Sequence, residues 1–206
     1  MAVTANWFRQ ALKLALNKEI DFDTDVIRCM LTTSSYTPNL DTHDYVDDVD
    51  NEVAGAGYVA EGAALANAAV TYTAAASLTA WQASTAYVVG DLVRKATTNG
   101  HVYRCIVAGT SDSGEPTWPT VGGQTVADNT VTWAECGAGV IKLDADDVSW
   151  ASSTITARYA VIYVDTGTTS TSALIVLINF GEDKSSSNGT FQITFDADGI
   201  AYIPVD

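Results

Sequence analysis

Residues 5–18, ANWFRQALKLALNK, set Trp7 or Phe8, Ala11, Leu12, Ala15 and Leu16 near one stripe at helical spacing, which predicts an amphipathic N-terminal helix. The period then changes. In DFDTDVIRCMLTTSSY, Phe22, Thr24 and Val26 alternate with Asp21, Asp23 and Asp25 before an apolar stretch at Ile27, Met30 and Leu31, the pattern of a strand running into a core. A long polar loop follows from Tyr36, with Pro38 and Asn39 as turn residues, and ends at Gly55-Ala56-Gly57-Tyr58. GAALANAAVTYT predicts a further strand ending near Thr73.

Towards the C-terminus, GVIKLDADDVSW and the strongly apolar ARYAVIYVD read as strands, as do SALIVLINFGE and FQITFDADGIAYIPV. DTGTTSTS and EDKSSSNG, between them, have the composition of hairpin loops. Strands at this spacing predict a mainly β protein, a β-sandwich or barrel of about seven strands with one N-terminal helix. The helix stripe has two readings. It lies across an open end of the sandwich, or Trp7, Phe8 and Leu12 form an assembly interface with a neighbouring subunit. Trp150 reads as a core or interface anchor.

The middle of the chain breaks this pattern. Residues 79–138 are rich in Trp, Tyr and Gly, and their charge differs from that of the flanks. Between 21 and 52, nine acids stand against Arg28 alone; between 80 and 139, five acids stand against three bases. The expected organisation is therefore a host domain split into 1–78 and 139–206, with a module at 79–138 threaded into one of its loops. Such insertions succeed where the module's ends lie close together in an exposed loop.

Composition narrows the class. Hydrophobic residues make up 47% of the 206 and charged residues 17%, proportions of a globular chain. The net charge of −15 repels nucleic-acid phosphates and anionic membranes, so neither is an expected partner. No stretch approaches the ~20 apolar residues of a membrane span, so no membrane insertion is expected. The first residues lack the basic start, apolar core and small-residue cleavage site of a signal peptide.

Candidate chemistry is sparse. The two histidines, His43 and His101, have no nucleophile or acid placed beside them by any motif, so no catalytic residues and no enzyme activity are expected. Asp47-Asp48 and Asp144, Asp146 and Asp147 read as solvated acidic turns rather than a calcium site, because no closing glutamate follows at the required spacing. No cofactor or metal is expected. Cys29, Cys105 and Cys136 match no metal spacing; Cys105 and Cys136 either pair across the module or remain reduced, buried thiols.

Within the module, Ala80-Trp81, Ser84-Thr85-Ala86-Tyr87, Gly90-Asp91-Leu92-Val93, Gly100-His101-Val102-Tyr103, Pro116 and Trp133 occur in order. In this succession the stretch resembles the small β-rich carbohydrate-binding modules of the chitin-binding type. Those modules often carry an aromatic pair after the central tyrosine; Ile106 and Val107 stand there in this chain. Trp81, Tyr103 and Trp133 are expected in the module core. Trp118, between Pro116 and Pro119, and Tyr87 are the candidates for stacking on a sugar, or they pack the loop.

The flanks resemble a family of small tailed-bacteriophage virion proteins. The resemblance lies in FRQALKLALNKEIDFDTDVIRCMLTTSSYTPNLDTHDY, NEVAGAGYVAEGAALAN and LDADDVSWASSTITARYAVIYVDTG. It implies a structural protein of the particle, a capsid decoration (cement) protein on the outer surface of the virion, with a tail-associated adhesin as the alternative. It further implies the major capsid protein as partner and self-association, with a trimer as the arrangement of that class. Host-surface glycans are the partner that the module implies.

Overall fold

The computed structural model describes residues 4–196 and 199–205. In chain order the strands are β1 (Thr4–Trp7), β2 (Ile27–Thr32), β3 (Ala63–Ala64), β4 (Ala69–Ala74), β5 (Ala86–Tyr87), β6 (Leu92–Arg94) and β7 (Val102–Val107). They continue with β8 (Gly109–Thr110), β9 (Thr125–Asp128), β10 (Val131–Glu135), β11 (Gly139–Asp144), β12 (Val148–Val164), β13 (Leu174–Ile193) and β14 (Ala201–Val205). Among the described residues one short α-helix, α1 (Ala11–Leu16), completes a mainly β protein with antiparallel sheets. The strand expected across 191–205 is two separate elements, and its residues 197–198 lie outside the described residues.

The chain divides into two compact units, Met1–Ala69 with Asp144–Phe195 and Val70–Leu143 with Asp196–Asp206. The first holds a five-stranded sheet in the order β1-β13-β12-β2-β3. Ala160–Val164 of β12 and Leu174–Ile178 of β13 are buried at every position. Strands covered on both faces lose the polar alternation and read as continuous apolar runs, which is how ARYAVIYV and ALIVLI look in the sequence. Phe8, Met30, Tyr36, Val161, Tyr163, Leu174 and Leu177 form the main core of this unit.

Two expectations fail here for physical reasons. The helix is six residues long, because Thr4–Trp7 is taken up as an edge strand on β13 and Phe8 N–H goes to the Ile175 carbonyl. It ends at Lys18, which has φ +67°, with Lys18 and Glu19 N–H closing back on the Ala15 and Leu14 carbonyls, a Schellman stop. The buried residues of α1 are Ala11 and Leu14, while Leu12 is 50% and Leu16 78% exposed. Of the three interface candidates, Phe8 is 1% exposed and belongs to the core rather than to an outer face; Trp7 is half-buried in β1, and Leu12 alone faces outward.

EDKSSSNG, expected as a hairpin loop, instead lies inside β13 and pairs with β12 through several register shifts. Two of its three serines are satisfied by the opposite strand: Ser153 and Ser186 hydroxyls meet at 2.7 Å, and those of Thr156 and Ser185 at 2.8 Å. Cross-strand hydroxyl pairs of this kind let a turn-like composition persist as a ladder. The true loop is at 165–172, as DTGTTSTS suggests.

The second unit contains the four-stranded sheet β6-β7-β10-β9, the three-stranded sheet β14-β11-β4 and the pair β5-β8. It extends beyond 79–138 on both sides and takes in the last strand of the chain, so the expected seven-stranded host sandwich is not one body. Packing explains the wider boundary. Val140 of β11 and Tyr202 of β14 share a cluster with Ala75, Leu78, Leu92, Val102 and Cys136, so the flanking strands and the module have a common core.

Three passages of chain between the units converge within the first unit. Asp146 N–H donates to the Ala66 carbonyl at 2.9 Å, and Asn67 Nδ2 donates to Asp146 Oδ2 at 2.8 Å. Phe195 N–H donates to Asp147 Oδ1 at 3.0 Å. The points at which the chain leaves at 67, returns at 146 and leaves again at 195 are therefore stapled together, and this is the work done by the acidic turn Asp146-Asp147.

Candidate functional site

The aromatic landmarks of the second unit are held by carboxylates. Trp81 Nε1 and Trp133 Nε1 both donate to Asp128 Oδ2, at 2.8 and 2.9 Å, while Asp112 N–H donates to Asp128 Oδ1 at 2.8 Å. Asp128 is buried, and these bonds replace the water it has lost. Trp81, Tyr103 and Trp133 are buried in one cluster with Val93, Cys105 and Val131.

Trp118 belongs to the same cluster and is 7% exposed, so the ring is not presented to solvent. It lies against Tyr103 with ring centroids 4.2 Å apart and meets Trp133 edge-on at 5.8 Å. Its Nε1 donates to Glu115 Oε1 at 2.9 Å, and the same oxygen accepts Ala96 N–H at 2.7 Å. Tyr103 hydroxyl, which donates to the Pro119 carbonyl at 2.8 Å, ties down the loop behind it. The two prolines do stiffen the loop, yet its large apolar ring gains more by closing the core than by standing in water.

Tyr87 is half-buried, its ring edge-on to Trp133 at 4.8 Å. Its hydroxyl accepts Gln82 N–H at 2.8 Å, and burial raises its pKa above the ordinary tyrosine value. Only part of this ring remains to meet a ligand. The Gly90-Asp91 pair makes the following turn: Gly90 has φ +113°, and Asp91 Oδ2 accepts Val88 N–H at 2.8 Å. Around that turn Val88, Val89 and Val107 are exposed, so the surface next to Ile106 is aliphatic.

His101 and the three cysteines are held within the fold. His101 Nδ1 lies 2.7 Å from Glu135 Oε1, which also accepts Gly137 N–H at 2.7 Å. Cys105 and Cys136 are free, buried thiols, as is Cys29. Burial pushes Cys105 up to about 11 and Cys29 up to about 12, and it also raises Cys136. Thiols so disfavoured as thiolates are poor nucleophiles and poor metal ligands.

Two residues escaped the sequence reading. Asp128 sits in ADNT, which reads as a turn, and nothing local marks it as the acceptor for two distant indoles. Tyr72, on β4, lies outside the 79–138 stretch, yet it carries the most exposed aromatic ring among the described residues, at 60%. Alternation along VTYT was its only signal.

Residues 80–125 match the model of carbohydrate-binding module family 5/12. No curated protein and no solved structure matches the chain. The match ends as β9 begins, whereas β9 and β10 supply Asp128 and Trp133 to the same core. The second unit therefore contains a module similar to those of carbohydrate-binding module family 5/12.

Proposed function

We propose that this chain is a non-enzymatic structural protein of a tailed-phage particle, a capsid decoration protein whose second unit is held outward for weak adhesion to glycans. The observation that carries the glycan half is the family 5/12 match over 80–125, inside a compact unit. The virion half rests on the resemblance of the flanking segments to small phage structural proteins. The two halves fit together physically. Because the passages at 67, 146 and 195 are stapled side by side, the second unit can be carried without interrupting the five-stranded sheet.

A net charge of −15 suits the outside of a shell better than a face turned to packaged DNA. On such a surface many copies convert weak single-site binding into avidity. The major capsid protein is the partner of the first unit in this reading, and Leu12 and Leu16, exposed one turn apart on α1, are apolar groups available to that contact or to self-association.

The test is electron microscopy of gold-labelled protein on particles, together with depletion of the intact protein by insoluble chitin and cellulose. Labels spread over the head and measurable depletion are expected. Labels confined to the tail would favour a tail-associated adhesin, which would use the same module for host recognition. Protein absent from particles would overturn the virion reading.

A further inference from the structure

Sugar-binding sites without charge rely on an aromatic ring that is held rigidly and left open on one face, against which the apolar face of a pyranose stacks. The module matched at 80–125 does not offer one. Trp81 and Trp118 are buried, as is Trp133 just beyond it; Tyr87 is engaged at its hydroxyl and packed on Trp133. The positions after the central tyrosine, Ile106 and Val107, are aliphatic.

Within the same compact unit Tyr72 meets the requirement. It lies on β4, an edge strand of the sheet β14-β11-β4, and among the described residues no further strand pairs along its flank. The ring rests on Gly139 of β11. A Cβ at 139 would stand 2.7 Å from both Cε2 and the hydroxyl oxygen of Tyr72, and 2.9 Å from the Thr73 carbonyl. Glycine is what allows the ring to lie directly on the neighbouring backbone, and that support holds it without burying it.

The surroundings continue the platform. Strand alternation puts Ile141 on the face of β11 towards which Gly139 would project a side chain, and the register places Val205 and Ile203 opposite Gly139 and Ile141. All three are half-buried. Tyr72 is thus one end of an apolar strip on a twisted sheet.

We infer that Tyr72, braced on Gly139, is the stacking platform for a neutral hexopyranose chain, and that the glycan face of the second unit is this side of the β14-β11-β4 sheet rather than the surface of the 80–125 segment. The inference rests on the glycan reading above. A neutral chain is specified because the protein's net charge of −15 repels acidic polysaccharides. The sugars that fit are those whose hydroxyls are mainly equatorial, leaving a flat C–H face for the ring.

The experiment is depletion of the full chain by insoluble chitin and by cellulose, comparing the wild type with Tyr72→Phe, Tyr72→Ala, Gly139→Ala and Val107→Ser. Emission from the buried tryptophans reports whether each variant has kept its fold. With that emission unchanged, Tyr72→Ala is expected to bind at least about tenfold more weakly, and Tyr72→Phe within about twofold of wild type. Gly139→Ala, which dislodges the ring, is expected to weaken binding, and Val107→Ser to leave it unchanged.

Wild-type binding that survives Tyr72→Ala would overturn the platform while leaving the glycan reading intact. Loss of binding in Val107→Ser alone would move the site to the aliphatic turn and overturn it too. If the wild type binds neither powder, the glycan reading fails and the platform with it.

Discussion

Trp81 and Trp133 donate their indole N–H groups to one carboxylate oxygen, Oδ2 of Asp128, at 2.8 and 2.9 Å. Residues 52 positions apart are thereby fixed through a third, and two indoles are relieved of the cost of losing water. Asp128→Ala leaves both indoles and Asp112 N–H without their acceptor. The second unit is expected to lose about 3 kcal/mol, read as a lowered denaturant midpoint of tryptophan fluorescence.

Trp118→Ala is expected to behave as a core deletion. The ring fills space between Tyr103 and Trp133, so truncation should cost about 3–5 kcal/mol in the second unit. Thermal unfolding checks it; a variant as stable as wild type would show the ring to be dispensable to packing. Lost glycan binding in this variant would consequently say nothing about sugar contact.

Gly62 has φ +73°, and a Cβ there would overlap the Cys29 carbonyl and crowd the Met30 α carbon. Neither is a flexible side chain that could move aside. Gly62→Ala is expected to destabilise the first unit by more than about 2 kcal/mol, measured by circular dichroism in denaturant.

Alkaline pH should destabilise the protein in a defined window. The folded-state pKa of Cys29 is raised by burial from 9.0 to about 12, and that of Cys105 from 9.0 to about 11. The folded state therefore holds these protons more tightly than the unfolded chain. Stability from this source is fully present below pH 9 and is lost progressively between 9 and about 11–12. Denaturant midpoints at pH 8, 9.5 and 10.5 should fall in that order. Iodoacetamide at pH 8 should label none of the three buried thiols until denaturant is added.

How far the sequence reveals this molecule depends on what each signal measures. Apolar runs such as ARYAVIYV and ALIVLI identify central strands because burial on both faces leaves no other composition. The tryptophan, tyrosine and glycine landmarks of 80–133 mark a distinct module because its turns and core need those residues in that order. Composition misleads where long-range pairing takes over. Ser185 and Ser186 of EDKSSSNG form a ladder because Thr156 and Ser153 stand opposite, and no local signal contains that fact.

The N-terminal stripe fails for the same reason, since β13 captures Thr4–Trp7 before a helix can include it. Trp118 reads as outward because a proline-flanked loop is stiff; that its stiffness directs the ring inward depends on Glu115 and Tyr103. The last strand joins the second unit through the core cluster that Val140 and Tyr202 share, although they stand 62 apart in the chain.

The most direct measurement is particle loading by a shortened chain, in which a short Gly/Ser linker replaces 70–143 and the chain ends at 195. Asn67 and Asp146 already hydrogen-bond, so the linker has little distance to cross. The shortened protein is expected to fold with one cooperative transition and to load onto particles as the full chain does, while those particles are no longer retained by chitin or cellulose. A folded shortened chain that fails to load, or particles retained as before, would contradict the separation of anchoring from adhesion between the two units.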